Sequence, residues 1–403
     1  MGQKLHRRRR SSFRRRSPAG PIVGWVLAAL ILIPGSFFAA KAIAGHRESV
    51  PTVDPTPDTA VTTAPSAGTT ATTAPAVTEV LDFHGIYLPY TALKDTATLK
   101  TTLSQAADAG LNSVVVELKN KNGDLYYLSE TEQGKTAAAS IDEALSLSQL
   151  TEAFSAIRLQ GLMPVARLYA FEDAVAPRTL PGAKVTTTGH ADWTWYDGDP
   201  KNGGRPWLNP YADAAQSYIV ALAEELYTAG AGAIMLDGVY FPTQTAQANF
   251  PVGEQASLSK GEVLRQFITR VSALSDATVL LSCQADAALG NNTAAYTVNP
   301  LSLGETVAVP DLRVMSLGNR LALDSGVLTV SADTLGDAVP RMMAQVKDRA
   351  GLQEQAALKA APLLDAATAP TVIKALKAAG EKSFFVYAEN GQYDFTALKT
   401  ALS

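Results

Sequence analysis

From residue 81 onward the chain alternates short apolar runs with longer stretches in which apolar positions recur every three or four residues. That is the signature of strands alternating with amphipathic helices. Eight runs read as strands: FHGIYL (83–88), SVVVEL (113–118), MPVARLY (163–169), AGAIMLD (231–237), TVLLSC (278–283), DLRVMS (311–316), QAALKAA (355–361) and SFFVYA (383–388). Helices are predicted over 95–110, 140–160, 211–229, 255–275, 333–350, 368–379 and 393–402, so that only 284–310 lacks one. Eight strand–helix repeats of this length most simply close into a (β/α)8 barrel. An open doubly wound sheet is the rival architecture, but GIYLPYTAL after the first strand holds one glycine and no phosphate-cradling loop.

The pattern before residue 81 is different. Ile22 to Ala40 is nineteen residues without a charge, long enough at about 1.5 Å per residue to cross a hydrocarbon core of roughly 30 Å. Lys4, Arg7 to Arg10 and Arg14 to Arg16 precede it, which orients the N-terminus to the cytoplasm. Ala42-Ile43-Ala44 offers the rival of a cleaved signal peptide. Residues 49–80 are almost entirely Thr, Ala, Pro, Val and Ser, too poor in bulky apolar groups to fold. The expected organisation is a cytoplasmic tail (1–20), a transmembrane helix (21–44), a disordered stalk (45–80) and an extracellular α/β barrel domain (81–403).

Charge narrows the partners. The chain has 34 Lys and Arg, so removing the eight of the tail leaves 26 against 38 Asp and Glu, a net −12 for the remainder. An acidic outer domain has no electrostatic case for nucleic acid. Cys283 is the sole cysteine, and His84 and His190 are the only histidines after residue 46, with no H-E-x-x-H and no G-x-S-x-G. Zinc chemistry, a cysteine nucleophile and an esterase elbow are all poorly served, and no cofactor or metal is expected. Asp197, Asp199 and Asn202 among glycines read as a surface turn rather than a cation loop.

In such a barrel the chemistry sits at the C-terminal ends of the strands. Those positions are Glu117 and Lys119; Arg167, Glu172 and Asp173; Asp237; Gln284 and Asp286; Asn319 and Arg320; Asp365; and Glu389 and Asn390. Trp193, Trp195 and Trp207, three of the four tryptophans, fall in one polar loop after the third strand. Indole faces beside carboxylates suit a sugar, whose C–H faces stack while its hydroxyls hydrogen-bond. The competing explanation is that the tryptophans pack that loop onto the barrel.

HGIYLPY, LNSVVVELKNKNGDLYY, GLMPVARLYAFEDAVAP, WLNPY and AIMLDGVYFP occur in this order between residues 84 and 242. In these motifs the chain resembles a bacterial glycosyl hydrolase domain family of unknown function, built as a TIM barrel and distantly related to alpha-amylase-like glycosidases. The resemblance implies site positions at Glu117 and Lys119, at Arg167, Phe171 and Asp173, at Asn209, Pro210 and Tyr211, and at Asp237. The chain departs from the pattern where Gly238 and Tyr240 replace a tyrosine and an arginine, and where Gln284 and Ala285 stand near an expected serine-alanine-aspartate.

A glycosidase needs two carboxyl groups, one kept protonated by its surroundings. Asp237 is the leading candidate, its rival role being a structural salt bridge to Arg167; the partner comes from Glu117, Asp173 and Glu389. Arg167, Lys119, Trp193, Trp195, Trp207, Asn209, Tyr240 and Glu389 are the expected substrate contacts. Two functions follow: a membrane-anchored extracellular glycoside hydrolase of polysaccharide or cell-wall glycan, or an inactive barrel that binds glycan at the envelope.

Overall fold

A computed structural model describes residues 82–137, 139–275, 278–305, 307–350 and 359–403. The expected tail, anchor and stalk lie outside them, as does most of the expected strand at 355–361. Among the described residues no helix is long and apolar enough to cross a membrane.

Eight parallel strands close on themselves: β1 (His84–Leu88), β2 (Ser113–Lys119), β3 (Met163–Tyr169), β4 (Ala233–Asp237), β5 (Thr278–Gln284), β6 (Val307–Asp311), β7 (Leu363–Asp365) and β8 (Phe384–Tyr387). Each pairs with the next, and β8 returns to β1 at His84↔Phe384. The outer layer is α1 (Thr96–Asp108), α2 (Leu147–Leu159), α3 (Asp213–Ala229), α4 (Lys260–Ser272), α5 (Leu335–Arg349), α6 (Ala369–Ala378) and α7 (Phe395–Leu402). Between β5 and β6 stand only a four-residue helix at Ala285–Ala288 and a 3-10 turn at Pro300–Ser302, in keeping with the missing helical pattern there.

Strand alternation divides the barrel into two cores. Val115, Val165, Met235, Leu280, Val309 and Phe385 point inward and fill the lumen with Tyr87, while Val114, Val116, Ala166 and Leu236 pack outward against the helices. Gly85 leaves room for this plug, because a Cβ there would stand within van der Waals radius of the Phe385 ring. Advancing two residues from each inward apolar position reaches Glu117, Arg167, Asp237, Ser282, Asp311 and Tyr387. The same periodicity that builds the apolar plug therefore lays a polar layer over it at the C-terminal mouth.

Three sequence expectations are corrected. The sixth strand is VAVPD (307–311), not DLRVMS; residues 314–317 instead form a short helix. Pro310 disguised it, since proline lacks an N–H for the ladder. Here it is accommodated because β6 meets the seventh segment only at Val307 and Ala308 (with Lys359 and Ala360) and again at Asp311, skipping Val309 and Pro310. Asn319 and Arg320 consequently do not end a barrel strand, Arg320 opening a hairpin (Arg320–Leu323 with Gly326–Thr329). The predicted helix at 140–160 begins later, because Ala139–Leu145 adds a strand beside Asp124–Tyr127.

Candidate active site

Arg167 is the centre of the polar layer. Buried at 6% exposure, it donates from Nη1 to Glu117 Oε2 and from Nη2 to Asp237 Oδ2, both at 2.5 Å. Nη2 also reaches the Tyr169 hydroxyl at 3.1 Å, and the guanidinium lies over the Tyr87 and Tyr169 rings. One cation thus holds two carboxylates, one from each strand flanking its own, in a single constellation. Both parts of the Asp237 expectation meet here: it is salt-bridged to Arg167, and it also lines the cleft.

The two acids are not equivalent. Burial raises the Glu117 carboxyl above the ordinary glutamate range; Arg167 opposes this and Asp237 reinforces it. Asp237 Oδ1 accepts the backbone N–H of Gly238 at 2.7 Å. Gly238 has φ +64°, in the left-handed region that favours glycine, and a Cβ there would press on Tyr169. The glycine that departs from the motif's tyrosine is thus required by the local backbone.

β6 supplies a second pair that the sequence reading missed because it misplaced the strand. Arg313 grips Asp311 with two bonds of 2.8 Å and covers the Tyr387 ring at 4.5 Å. Burial opposes ionisation of Asp311, but the Arg313 hydrogen bond and charge outweigh it and hold the carboxyl low. Only the correct register of β6 would have revealed this pair.

The mouth opens into three chambers. A central one of about 360 Å³ is lined by Arg167, Asp237, Tyr169, Glu172, Tyr240 and Gln284 among others. A second, about 250 Å³, shares Glu172, Tyr240 and Gln284 with it and ends at Trp207 and Asp197. The third, about 190 Å³, lies beside Glu117 and is lined by Tyr87, Tyr90, Tyr126, Tyr387 and Glu389. Tyr240 donates to Glu172 at 2.7 Å, and Arg205 meets the same carboxylate at 3.5 Å.

Several predicted site residues serve the scaffold. Lys119 and Asp173 form a fully buried ion pair of 2.7 Å, and Lys119 also donates to the Tyr169 carbonyl. A register shift between Glu117 and Lys119 removes the lysine from the inward series. Asp173 Oδ1 caps the turn at Val175 and Ala176, so neither partner is offered to the cleft. Asn209 is buried and bonds Pro251 and Tyr211. Trp195 is buried and donates to the Ala246 carbonyl, clasping the loop after β3 to the loop after β4. Trp207 is mostly buried, donates to Asp197 at 2.9 Å and still walls a chamber. Trp193 alone is exposed, at 60%, stacked on His190. Glu389 is exposed at the rim of the tyrosine chamber.

A closed (β/α)8 barrel carries its chemistry at the C-terminal mouth, and here Arg167 ties together two carboxylates that open onto adjoining chambers of that mouth. Residues 85–298 match the family described as "Putative glycosyl hydrolase domain", and the chain belongs to that family. No curated protein matches the sequence. Among solved structures the chain is similar to a hypothetical protein from Ruminiclostridium thermocellum, at 20% identity over 49% of this chain and 96% of that one, TM-score 0.41. It is also similar to the glycoside hydrolase domain of a PelA variant from Pseudomonas aeruginosa, at 13% identity over 78% and 97%, TM-score 0.41. A GH36 alpha-galactosidase from Geobacillus stearothermophilus matches at 8% identity over 80% of this chain and 41% of that one, TM-score 0.45.

Proposed function

We propose that this protein is a membrane-anchored glycoside hydrolase whose barrel stands outside the cell and cuts polysaccharide or cell-wall glycan. The observation that carries the reading is the Glu117–Arg167–Asp237 constellation: two carboxyl groups, one raised by burial, at a cleft lined with aromatic rings. In this reading Glu117 is the general acid that protonates the departing glycosidic oxygen, and Asp237 is the carboxylate that faces the developing positive charge at the sugar carbon. Arg167 fixes both. Trp207, Tyr240 and Glu172 hold sugar rings beside them. The anchor and the outside location rest on the basic tail and the nineteen-residue apolar span.

A second reading, an inactive barrel that binds glycan at the envelope, is favoured by the neutral Gln284 at the end of β5, which lines the cleft where the family pattern calls for an acid nearby. The full chain in detergent, incubated with bacterial-wall and plant polysaccharides, separates the two when reducing ends and bound fraction are followed together. The hydrolase reading expects reducing ends to appear and to drop at least 100-fold in Glu117→Gln, on the order of general acid–base contributions. Binding without release from any glycan, lost in Trp207→Ala, establishes the binding protein instead.

A further inference from the structure

Apart from Glu117, the lining of the chamber beside it has no part in the chemistry just described, yet it is built as a ligand site. Tyr90 follows β1, Tyr126 sits on the strand after β2, and Tyr387 ends β8, so three separate elements converge on it. Tyr90 and Tyr126 stack nearly parallel, with centroids 4.4 Å apart and planes 7° apart, and Tyr87 and Tyr387 meet edge to face. Asn120 fixes the Tyr126 hydroxyl by donating to it at 2.8 Å. Rigid aromatic walls with acids at the rim are the lining that sugars use. The volume of about 190 Å³ falls below the roughly 300–1,000 Å³ of a whole ligand site. It suits a single ring of a longer chain.

Position gives this chamber its meaning. Glu117 lines it and bonds Arg167, which lines the central chamber next to Asp237. The central chamber in turn shares three residues with the Trp207 chamber. The order across the mouth is tyrosine chamber, carboxylate pair, Tyr240, Trp207. We infer that the tyrosine chamber is a sugar subsite on the opposite side of the carboxylate pair from Trp207, so that the bound glycan crosses the mouth and is cut within the chain. This rests on the glycoside hydrolase reading and adds to it an endo-acting mode on an extended polymer.

The test uses the full-length protein and whichever glycan of the panel it degrades, supplied as end-labelled oligosaccharides of increasing length. The wild type is expected to give internal cleavage products. Tyr126→Ala is expected to raise KM roughly tenfold, the loss of one good aromatic contact, for oligosaccharides long enough to span the mouth. Tyr126→Phe is expected to restore KM because the ring, not the hydroxyl, is the contact. Release of single sugars from a chain end by the wild type overturns the inference while leaving the hydrolase reading intact, and needs no variant. So does an unchanged KM at every length in both Tyr126→Ala and Tyr90→Ala. Absence of cleavage of any glycan overturns both.

Discussion

Lys119 and Arg167 are buried cations on adjacent strands with opposite consequences. Arg167 shares its charge between two carboxylates that still touch the cleft, whereas Lys119 spends its charge on Asp173 in full burial. Removing one member of a buried pair leaves the other charge uncompensated. Lys119→Met is expected to cost about 3–5 kcal/mol in urea unfolding; a loss below 1 kcal/mol would show that Asp173 is satisfied by its backbone donors alone. From sequence, the two lysine- and arginine-bearing motifs looked alike. The difference lies in the register shift after Glu117, which turns one side chain out of the lumen.

At the scale of elements, local signals were legible wherever the chain supplies its own punctuation. α2 starts at Ser146, whose hydroxyl accepts the Gln149 N–H at 3.1 Å while the Gln149 side chain accepts the Ser146 N–H at 2.8 Å. This capping box satisfies two otherwise orphaned donors. Ser146→Ala is expected to destabilise the protein by about 1 kcal/mol in the same unfolding measurement, with the cleft and any glycan binding unchanged. The box also explains why the helix could not begin at 140: the residues before Ser146 are drawn into the strand beside Asp124–Tyr127. β6 went unread for the opposite reason, since proline cannot donate to a ladder, and Pro310 is tolerated because β7 skips it although β5 aligns Cys283 beside it.

For the molecule as a whole, the segment that replaces a helix between β5 and β6 carries a cost. Glu305 lies on it, 6% exposed, with no hydrogen-bond partner of good geometry for either carboxyl oxygen among the described residues, though backbone groups of its own turn and the Arg265 charge favour its ionised form. Burial, partly offset by those backbone groups, pushes its pKa up to about 7. An unfolded glutamate titrates near ~4.3, so the folded chain binds this proton more tightly. Stability is therefore greatest below the unfolded value and falls as pH rises through the window up to about 7. Glu305→Gln is expected to raise stability at pH 8 by roughly 3 kcal/mol and to change it little at pH 4. Thermal melts of both proteins across that range check it, and parallel curves would refute it.

The sequence by itself determined the barrel, because eight short apolar runs, seven of them followed by a period-3.6 run, leave few ways to bury both faces of a parallel sheet. It also placed Glu117, Arg167 and Asp237 at the C-terminal ends of their strands. Only the tertiary structure decided which acid partners Asp237, that Lys119, Asp173 and Asn209 belong to the scaffold, that Asp311 and Arg313 reach the mouth, and that tyrosines from three elements enclose one chamber. These depend on strand register and on groups distant in the chain arriving at one place. No local periodicity encodes that, because it is fixed by the closure of the barrel itself.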